Sequence, residues 1–154
     1  NLNKFFKNFE KVSKLKVCIS SHPRANYKKN PYETYKLYEN KTFELSTDSK
    51  CKVVLLHSSL AINYPVLLYK PVIFLTQSKF TYSNKKKIVD LSKFFKKKPI
   101  EIDKNNFDET IYKNQLRVNE NIYNNYKNKF ISEKDFKNTS YELIYNTLND
   151  TYDN

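Results

Sequence analysis

The most informative segment of the sequence is VVLLHSSLAINYPVLLYKPVIFL, residues 53–75. Its two apolar runs are rich in strand-forming residues and predict strands over Lys52–Leu56 and Val72–Leu75. The stretch between them, Leu60–Tyr69, has the length of one short helix, and Pro65 predicts that this helix starts late or kinks. The side chains predicted to form its apolar face are Leu60, Ala61, Tyr64, Leu67 and Leu68.

The rest of the chain alternates short apolar runs with amphipathic stretches. The further predicted strands are Lys16–Ser20, Tyr35–Tyr38 and Ile100–Ile102. The predicted helices are Leu2–Lys14, Phe43–Ser49, Asn84–Lys97 and much of 106–152, including a stripe of Ile122, Tyr123, Tyr126 and Phe130 and a last segment at Tyr141–Leu148. Such alternation predicts an α/β fold, with a parallel sheet that flanking helices cover on both faces. We expect residues 1–105 to form this core and residues 106–154 to form a helical C-terminal extension that packs on it.

The formal charge is +12, and only Arg24 and Arg117 among the 28 basic residues are arginine. A strongly basic chain attracts phosphates and anionic membranes, but base and phosphate readers usually rely on arginine forks. A bias toward AT-rich codons gives the same lysine-rich composition. The lysine triplets at 85–87 and 96–98 are predicted to be solvated faces of one helix.

Glycine is absent, which excludes GxGxxG and Walker A phosphate loops. Cys18 and Cys51 lie in apolar runs, where thiols behave as small core residues, and two cysteines form neither a disulfide framework nor a zinc site. We therefore expect no metal, no cofactor and a reducing, cytoplasmic location. The chain begins with Asn1 rather than Met, which predicts that it is a piece of a longer protein.

Polar residues follow two of the predicted strands, where parallel α/β sheets bind ligands. Ser58 and Ser59 stand where a strand leads into a helix, so their hydroxyls and the free N–H groups there suit an anion. Serine is also a favoured N-cap without any ligand. His57 precedes the pair and fits either a binding site or a core histidine with a satisfied hydrogen bond.

The other polar strand end carries His22, Pro23 and Arg24. Histidine donates to phosphate or ribose oxygens, and arginine forks onto a phosphate. The alternative is a solvated turn in which Arg24 pairs with a carboxylate such as Glu33. The sequence shows no Ser–His–Asp order, no paired carboxylates at a plausible site and no metal-ligand cluster.

The stretch from His57 to Leu75, with its Ser-Ser pair, short helix, Lys70-Pro71 and apolar strand, resembles the second-domain signature of GT-B glycosyltransferase-like proteins of bacterial surface polysaccharide (capsule and lipopolysaccharide) synthesis. His22-Pro23 resembles their HP motif, which bacterial sialyltransferases and CDP-glycerol glycerophosphotransferases share. The tail around Val118–Ile131 is similar to that of the polysaccharide-synthesis group. The CDP-glycerol glycerophosphotransferases, which act in teichoic acid synthesis, have an acidic residue just before the serines, whereas this chain has His57 there.

The resemblance implies a Rossmann-like parallel sheet with flanking helices, one half of a GT-B architecture, that binds a CMP- or CDP-linked sugar donor. His22 would stabilise the leaving phosphate as the catalytic residue, and Pro23, Arg24, His57, Ser58 and Ser59 would complete the donor site. The family's general base lies in a glycine-containing motif that this chain lacks, so the N-terminal acceptor domain is expected to be missing. The implied acceptor is lipid-linked or a polysaccharide, with peripheral contact to the anionic inner face of the plasma membrane.

Two non-enzymatic alternatives remain open. Interleaved aromatic and lysine side chains suit a basic module that stacks nucleobases, although the scarcity of arginine makes nucleic acid the less favoured partner. The chain also fits a degenerate remnant of a transferase. Mononucleotide binding through His22, Ser58 and Ser59 would distinguish a transferase half from a module that relies on dispersed lysines.

Overall fold

The computed structural model describes residues 1–21, 27, 29–32, 34–39, 41–104 and 106–131. Within them the chain forms six α-helices, one 3₁₀ helix and five short strands. The helices are α1 (Leu2–Ser13), α2 (Thr42–Thr47), α3 (Asn63–Leu67), α4 (Tyr82–Phe94), α5 (Glu109–Gln115) and α6 (Glu120–Phe130), with the 3₁₀ helix at Leu60–Ile62. The strands are β1 (Ile19–Ser20), β2 (Leu37–Tyr38), β3 (Val54–Leu56), β4 (Val72–Thr76) and β5 (Ile100–Glu101).

All strand pairs in the described residues are parallel, and they form two small sheets. β1 pairs with β2, and β4 lies between β3 and β5. The crossovers from β3 to β4 and from β4 to β5 carry helices, as parallel pairing requires. The predicted α/β class with parallel strands is therefore confirmed.

β4 is the centre of the fold because its sequence, VIFLT, is apolar on both faces, as a parallel strand covered on both sides must be. Its first four residues are between 0 and 3% exposed. Ile73 and Leu75 face one layer, and Val72 and Phe74 face the other. The alternation follows from the two-residue period of a strand, and it gives the three-stranded sheet a core on each face.

The first core lies against α1, which buries Phe5, Phe6 and Phe9 as its helical spacing predicts. Phe107 completes this cluster, with its ring centroid 5.4 Å from that of Phe5 in an edge-to-face arrangement. Such aromatic pairs add roughly 0.5–1.5 kcal/mol beyond the area they bury. This cluster holds α1 on the sheet and includes Ile19 of β1.

The second core lies on the opposite face and joins α3, α4 and α6 to the sheet. Its most deeply buried members from these helices and the 3₁₀ helix are Ile62, Val66, Ile88 and Tyr123. The predicted stripe on α6 is confirmed for Tyr123 and Tyr126, whereas Phe130 is 54% exposed. The proposed boundary at residue 105 stays a prediction, and the predicted segment Tyr141–Leu148 lies outside the described residues.

The predicted apolar face of the helix at 60–69 is wrong. Pro65 occupies the first turn of α3, where its missing N–H has no intrahelical partner to lose, so the α-helix begins only at Asn63. This start turns Ile62 and Val66 toward the sheet. Leu60 is instead 84% exposed, and Leu67 and Leu68 are also exposed.

β1 is shorter than predicted, because the Val17 N–H donates to the Glu10 carboxylate at 2.8 Å rather than to a neighbouring strand. Cys18 is exposed and is therefore not the core residue that its apolar neighbours predicted. Cys51 is partly buried, and its Sγ lies 3.7 Å from the Val53 carbonyl oxygen. Burial raises the pKa of the Cys51 thiol.

Lys97 corrects the prediction that the second lysine triplet is a solvated helical face. It lies beyond the end of α4, and its Nζ donates to the Val72 carbonyl at 2.8 Å and to the Gln115 carbonyl at 2.6 Å. Burial lowers the pKa of Lys97 to about 8. The ammonium thus joins the start of β4 to the end of α5.

Helix ends in this glycine-free chain use bulky residues where glycine is usual. Within the described residues, the non-glycine positions with positive φ are Lys14 (59°), Tyr69 (50°) and Lys96 (52°), and each follows a helix. At α4 the Lys96 N–H donates to the Lys93 carbonyl and the Lys97 N–H to the Ser92 carbonyl, both at 2.9 Å. This pair of bonds is a Schellman motif, which normally places glycine at the left-handed position.

Candidate functional site

The candidate site lies at the ends of β3, β4 and β5, which we call the carboxyl edge. It comprises residues 57–59 after β3, residues 77–80 after β4 and Asp103 after β5. Because the three strands are parallel neighbours, these residues leave the sheet on the same side. Ligands of open α/β sheets bind at this side of the strands.

His57 has a fixed orientation. Its Nδ1 lies 2.8 Å from the Leu75 carbonyl oxygen, and its ring packs edge-on against Phe80 with centroids 4.8 Å apart. A carbonyl only accepts, so we assign the proton to Nδ1. This assignment leaves Nε2 as an acceptor in the neutral ring and as a donor in the charged one. His57 can therefore be a partly buried histidine whose Nδ1 has a hydrogen-bond partner and still bind a ligand through Nε2.

The two serines differ in their local roles. Ser59 is the N-cap of the 3₁₀ helix, and its Oγ accepts a bond from the Ala61 N–H at 3.2 Å. The capping interpretation therefore holds for Ser59, although an accepting hydroxyl still has its own O–H to donate. Ser58 is exposed beside it. Two O–H groups are available to an anion at the end of β3.

Ser78 and Asp103 also lie at the carboxyl edge, and the sequence analysis missed both. One Asp103 carboxylate oxygen accepts the Ser78 N–H at 2.6 Å and the Ser78 hydroxyl at 2.7 Å, and the other accepts the Asn1 amide at 2.6 Å. The Ser78 bonds, with the smaller effect of Asn1, lower the pKa of Asp103 to about 2. Lys85 donates to the Ser78 carbonyl at 2.7 Å. The Asp103 carboxylate therefore holds the loop after β4 through its hydrogen bonds to Ser78.

The sequence feature that could have indicated Asp103 is its position directly after the predicted strand Ile100–Ile102. A carboxylate with so low a pKa is a poor general base at neutral pH. Its bonds suit a positioning role for the β4 loop instead.

Two large apolar side chains project beside the carboxyl edge. Leu60 directly follows the serine pair, and Tyr82, the first residue of α4, is 82% exposed. An exposed tyrosine ring presents a face for stacking on a base or sugar. The edge therefore combines hydroxyl donors with an apolar surface.

His22, Pro23 and Arg24, the other predicted donor-binding residues, lie outside the described residues, as does Glu33, the alternative partner of Arg24. Their roles stay predictions. Only His57, Ser58 and Ser59 of the predicted set are located, and they are consecutive.

Comparison with known proteins assigns no role to any of these residues. No protein family, characterised protein or solved structure matches it.

The described part of the chain offers neither a metal-ligand cluster nor a membrane-spanning helix. It contains no group of three or more His, Cys, Asp or Glu side chains that could hold a metal ion. None of its helices combines the length and the apolar character needed to cross a bilayer. The polar groups at the carboxyl edge are hydroxyls and an imidazole, which can donate to an anionic or polyhydroxylated ligand, and the Asp103 carboxylate, which only accepts.

Proposed function

We propose that this chain is the Rossmann-like donor-binding half of a GT-B glycosyltransferase for surface polysaccharide synthesis, and that its donor is a CMP- or CDP-linked sugar. The observation that carries the proposal is the position of His57, Ser58 and Ser59 at the end of β3, at the carboxyl edge of a parallel sheet. The resemblance assigns the phosphate of the donor to this passage from strand to helix.

The local chemistry supports an anionic ligand at this position. The Ser58 hydroxyl is exposed and donates to a phosphate oxygen, and the Ser59 hydroxyl donates while it caps the 3₁₀ helix. Hydrogen bonds to a charged group are worth about 1.5–3 kcal/mol each. His57 offers Nε2 to a ribose hydroxyl or phosphate, because its Nδ1 is held by the Leu75 carbonyl.

Transfer of the sugar would develop negative charge on the departing phosphate. His22 and Arg24 would stabilise that charge, and Pro23 would fix the turn that carries them. The acceptor, lipid-linked or polysaccharide, and the general base would come from a separate N-terminal domain. The net charge of +12 would hold the enzyme at the anionic inner face of the plasma membrane.

The test is calorimetric titration of the chain with CMP, CDP, UDP and GDP. We expect saturable binding of one cytidine nucleotide, and a loss of about tenfold or more in affinity for Ser58→Ala, since one charge-assisted hydrogen bond is removed. Ser58 is the better probe because Ser59→Ala also removes a helix cap, which costs about 1 kcal/mol of stability. Ser49→Ala, at another exposed serine outside the helices and strands, is the matched control and should bind unchanged.

A short oligonucleotide distinguishes the alternative function. Binding of the oligonucleotide with a steep salt dependence, together with no binding of any mononucleotide, would contradict the transferase proposal and favour a nucleic-acid module. Cytidine-nucleotide binding that is indifferent to Ser58→Ala would contradict the proposed site rather than the ligand class.

A further inference from the structure

The loop that follows β4, residues 77–80, is held from two sides through Ser78. One Asp103 carboxylate oxygen accepts both the Ser78 N–H, at 2.6 Å, and the Ser78 hydroxyl, at 2.7 Å. The Ser78 carbonyl accepts a bond from the Lys85 ammonium of α4 at 2.7 Å. All three bonds involve a charged group, and such bonds are roughly twice as strong as those between neutral groups. The loop is therefore anchored both to the end of β5 and to α4.

The pairing of β4 with β5 places the Asp103 carboxylate beside this loop. Thr76 pairs with Glu101, and the Ile102 N–H donates to the Thr76 carbonyl at 2.9 Å. Asp103 directly follows Ile102 on one strand, and Ser78 lies two residues beyond Thr76 on its neighbour. The register of the sheet therefore sets which residue of the loop the carboxylate meets.

The same loop carries Phe80 to the His57 ring. The Phe80 N–H donates to the Gln77 carbonyl at 3.2 Å, which closes a turn across the two residues between them. The Phe80 and His57 rings are edge to face, with 4.8 Å between their centroids and 79° between their planes. The second contact of the His57 ring is the Leu75 carbonyl oxygen, 2.8 Å from Nδ1. The direction of Nε2 therefore depends on β4 and on the loop that Asp103 holds.

The bonds that Asp103 already makes direct its effect to the loop rather than to a ligand. One carboxylate oxygen accepts both Ser78 bonds, and the other accepts the Asn1 amide at 2.6 Å. A carboxylate also repels a phosphate, because both are negative. Any favourable effect of Asp103 on an anionic ligand must then act through the groups that Asp103 holds.

We propose that Asp103 is a positioning residue for His57. By holding Ser78, it fixes the turn that carries Phe80. The Phe80 ring in turn keeps Nε2 of His57, which directly precedes the serine pair, in one direction. The role of Nε2 toward a cytidine nucleotide rests on the proposed function, whereas the restraint on the His57 ring belongs to the chain without ligand. The two can therefore fail separately.

The first test is the NMR spectrum of the His57 imidazole in the chain without ligand. The chain has two histidines, so His22→Gln leaves His57 as the one imidazole signal. Spectra are recorded at about pH 8, where an ordinary imidazole is neutral. In this background Phe80→Leu defines the change in chemical shift that loss of the neighbouring ring causes. Asp103→Ala should move the ring-proton signals in the same direction and by a large part of that change.

Ser78→Ala is the milder variant, and it decides the question if Asp103→Ala does not fold. It removes the hydroxyl bond to Asp103 and keeps the N–H bond. It should therefore move the His57 signals in the same direction by a smaller amount. Signals that stay in place in Phe80→Leu, or in every folded variant of the Asp103–Ser78 pair, would overturn the proposal.

Asp108→Ala is the matched control. The Asp108 carboxylate accepts the Ile111 N–H at 2.8 Å as the N-cap of α5. Ile111 packs against the first core, whereas Phe80 packs against the second core on the opposite face of the sheet. Asp108→Ala therefore removes the same charge and an equivalent backbone bond, but it should leave the His57 signals in place. An equal movement in both aspartate variants would indicate general loosening and would contradict a positioning role.

The second test is calorimetric titration with CMP and CDP in two backgrounds. Where His57 is kept, Asp103→Ala should weaken cytidine nucleotide binding about threefold. In the His57→Gln chain the same substitution should weaken it less than about 1.5-fold, because the positioned group is absent. Equal losses in the two backgrounds would show that Asp103 does not act through His57. If the unaltered chain binds neither nucleotide, the proposed function fails, and the imidazole signals still decide whether Asp103 positions His57.

Discussion

The left-handed residue after α4 gives the sharpest test of the structure. Lys96 has φ 52° and is held there by the Schellman bonds of Lys96 and Lys97 to the end of the helix. A side chain with a Cβ is strained in this conformation, and glycine is not. Lys96→Gly and Lys96→Ala remove the same charge, but only the first removes the Cβ. Their difference therefore reports the strain together with the greater freedom of glycine in the unfolded chain.

The expected magnitude follows from two opposing terms. The left-handed conformation costs a residue with a Cβ roughly 1–2 kcal/mol, whereas the greater freedom of glycine in the unfolded chain costs about 0.4–1 kcal/mol. We expect Lys96→Gly to exceed Lys96→Ala by about 0.5–1 kcal/mol in free energy of unfolding. For a chain of this length, that difference corresponds to about 1–4 °C in melting temperature.

The assay is urea unfolding followed by circular dichroism, with the slope m compared among the variants. The same pair of substitutions at Lys87, exposed within α4, is the control. There Lys87→Gly should be less stable than Lys87→Ala by about 1 kcal/mol, because glycine is a poor residue inside a helix. If the glycine variant is the less stable one at both positions, Lys96 is not strained and the described end of α4 is wrong.

Three further predictions concern buried or fixed ionisable groups. Burial lowers the pKa of Lys97 from 10.5 to about 8. Between these two pH values the unfolded chain therefore binds one more proton than the folded chain, so stability rises with pH. Urea midpoints across that window should rise less in Lys97→Met than in the unaltered chain. Tyr123→Phe should lose about 1 kcal/mol of stability, because the buried Tyr123 hydroxyl donates to the Lys70 carbonyl, and an unchanged urea midpoint would contradict that bond. The Ser78 bonds lower the pKa of Asp103 from 3.8 to about 2. The contribution of Asp103 to the stability of the folded chain is therefore present above pH 3.8 and is lost as the pH falls toward 2. Asp103→Asn should remove this acid dependence, which melting curves recorded in acid would show.

The elements that the sequence predicted well are those with one dominant pattern. β4 is a continuous apolar run, and α1 places three phenylalanines at helical spacing. The face of α3 could not be read in this way, because Pro65 sets where the helix starts and therefore which residues turn inward. β1 was predicted too long because the Glu10 side chain, nine residues before Ile19, takes the Val17 N–H that a strand would use.

The candidate site was predictable only where its residues are consecutive. His57, Ser58 and Ser59 follow one strong strand, so their place at a strand end could be predicted. The bond of Asp103 to Ser78 joins residues 25 positions apart and depends on the pairing of β4 with β5. The sequence predicts Lys97 as a surface lysine. Its buried position could not be predicted, because the left-handed turn at Lys96 directs it inward.

The absence of glycine links the helix ends to the chemistry of any anion site in this chain. Glycine-rich loops recognise phosphates through backbone N–H groups, which approach the ligand closely because no Cβ intervenes. In the described residues the left-handed turns carry lysine or tyrosine, and their Cβ atoms hinder so close an approach of a ligand to the backbone. An anion at the carboxyl edge would then be recognised chiefly by side chains, namely the hydroxyls of Ser58 and Ser59 and the imidazole of His57.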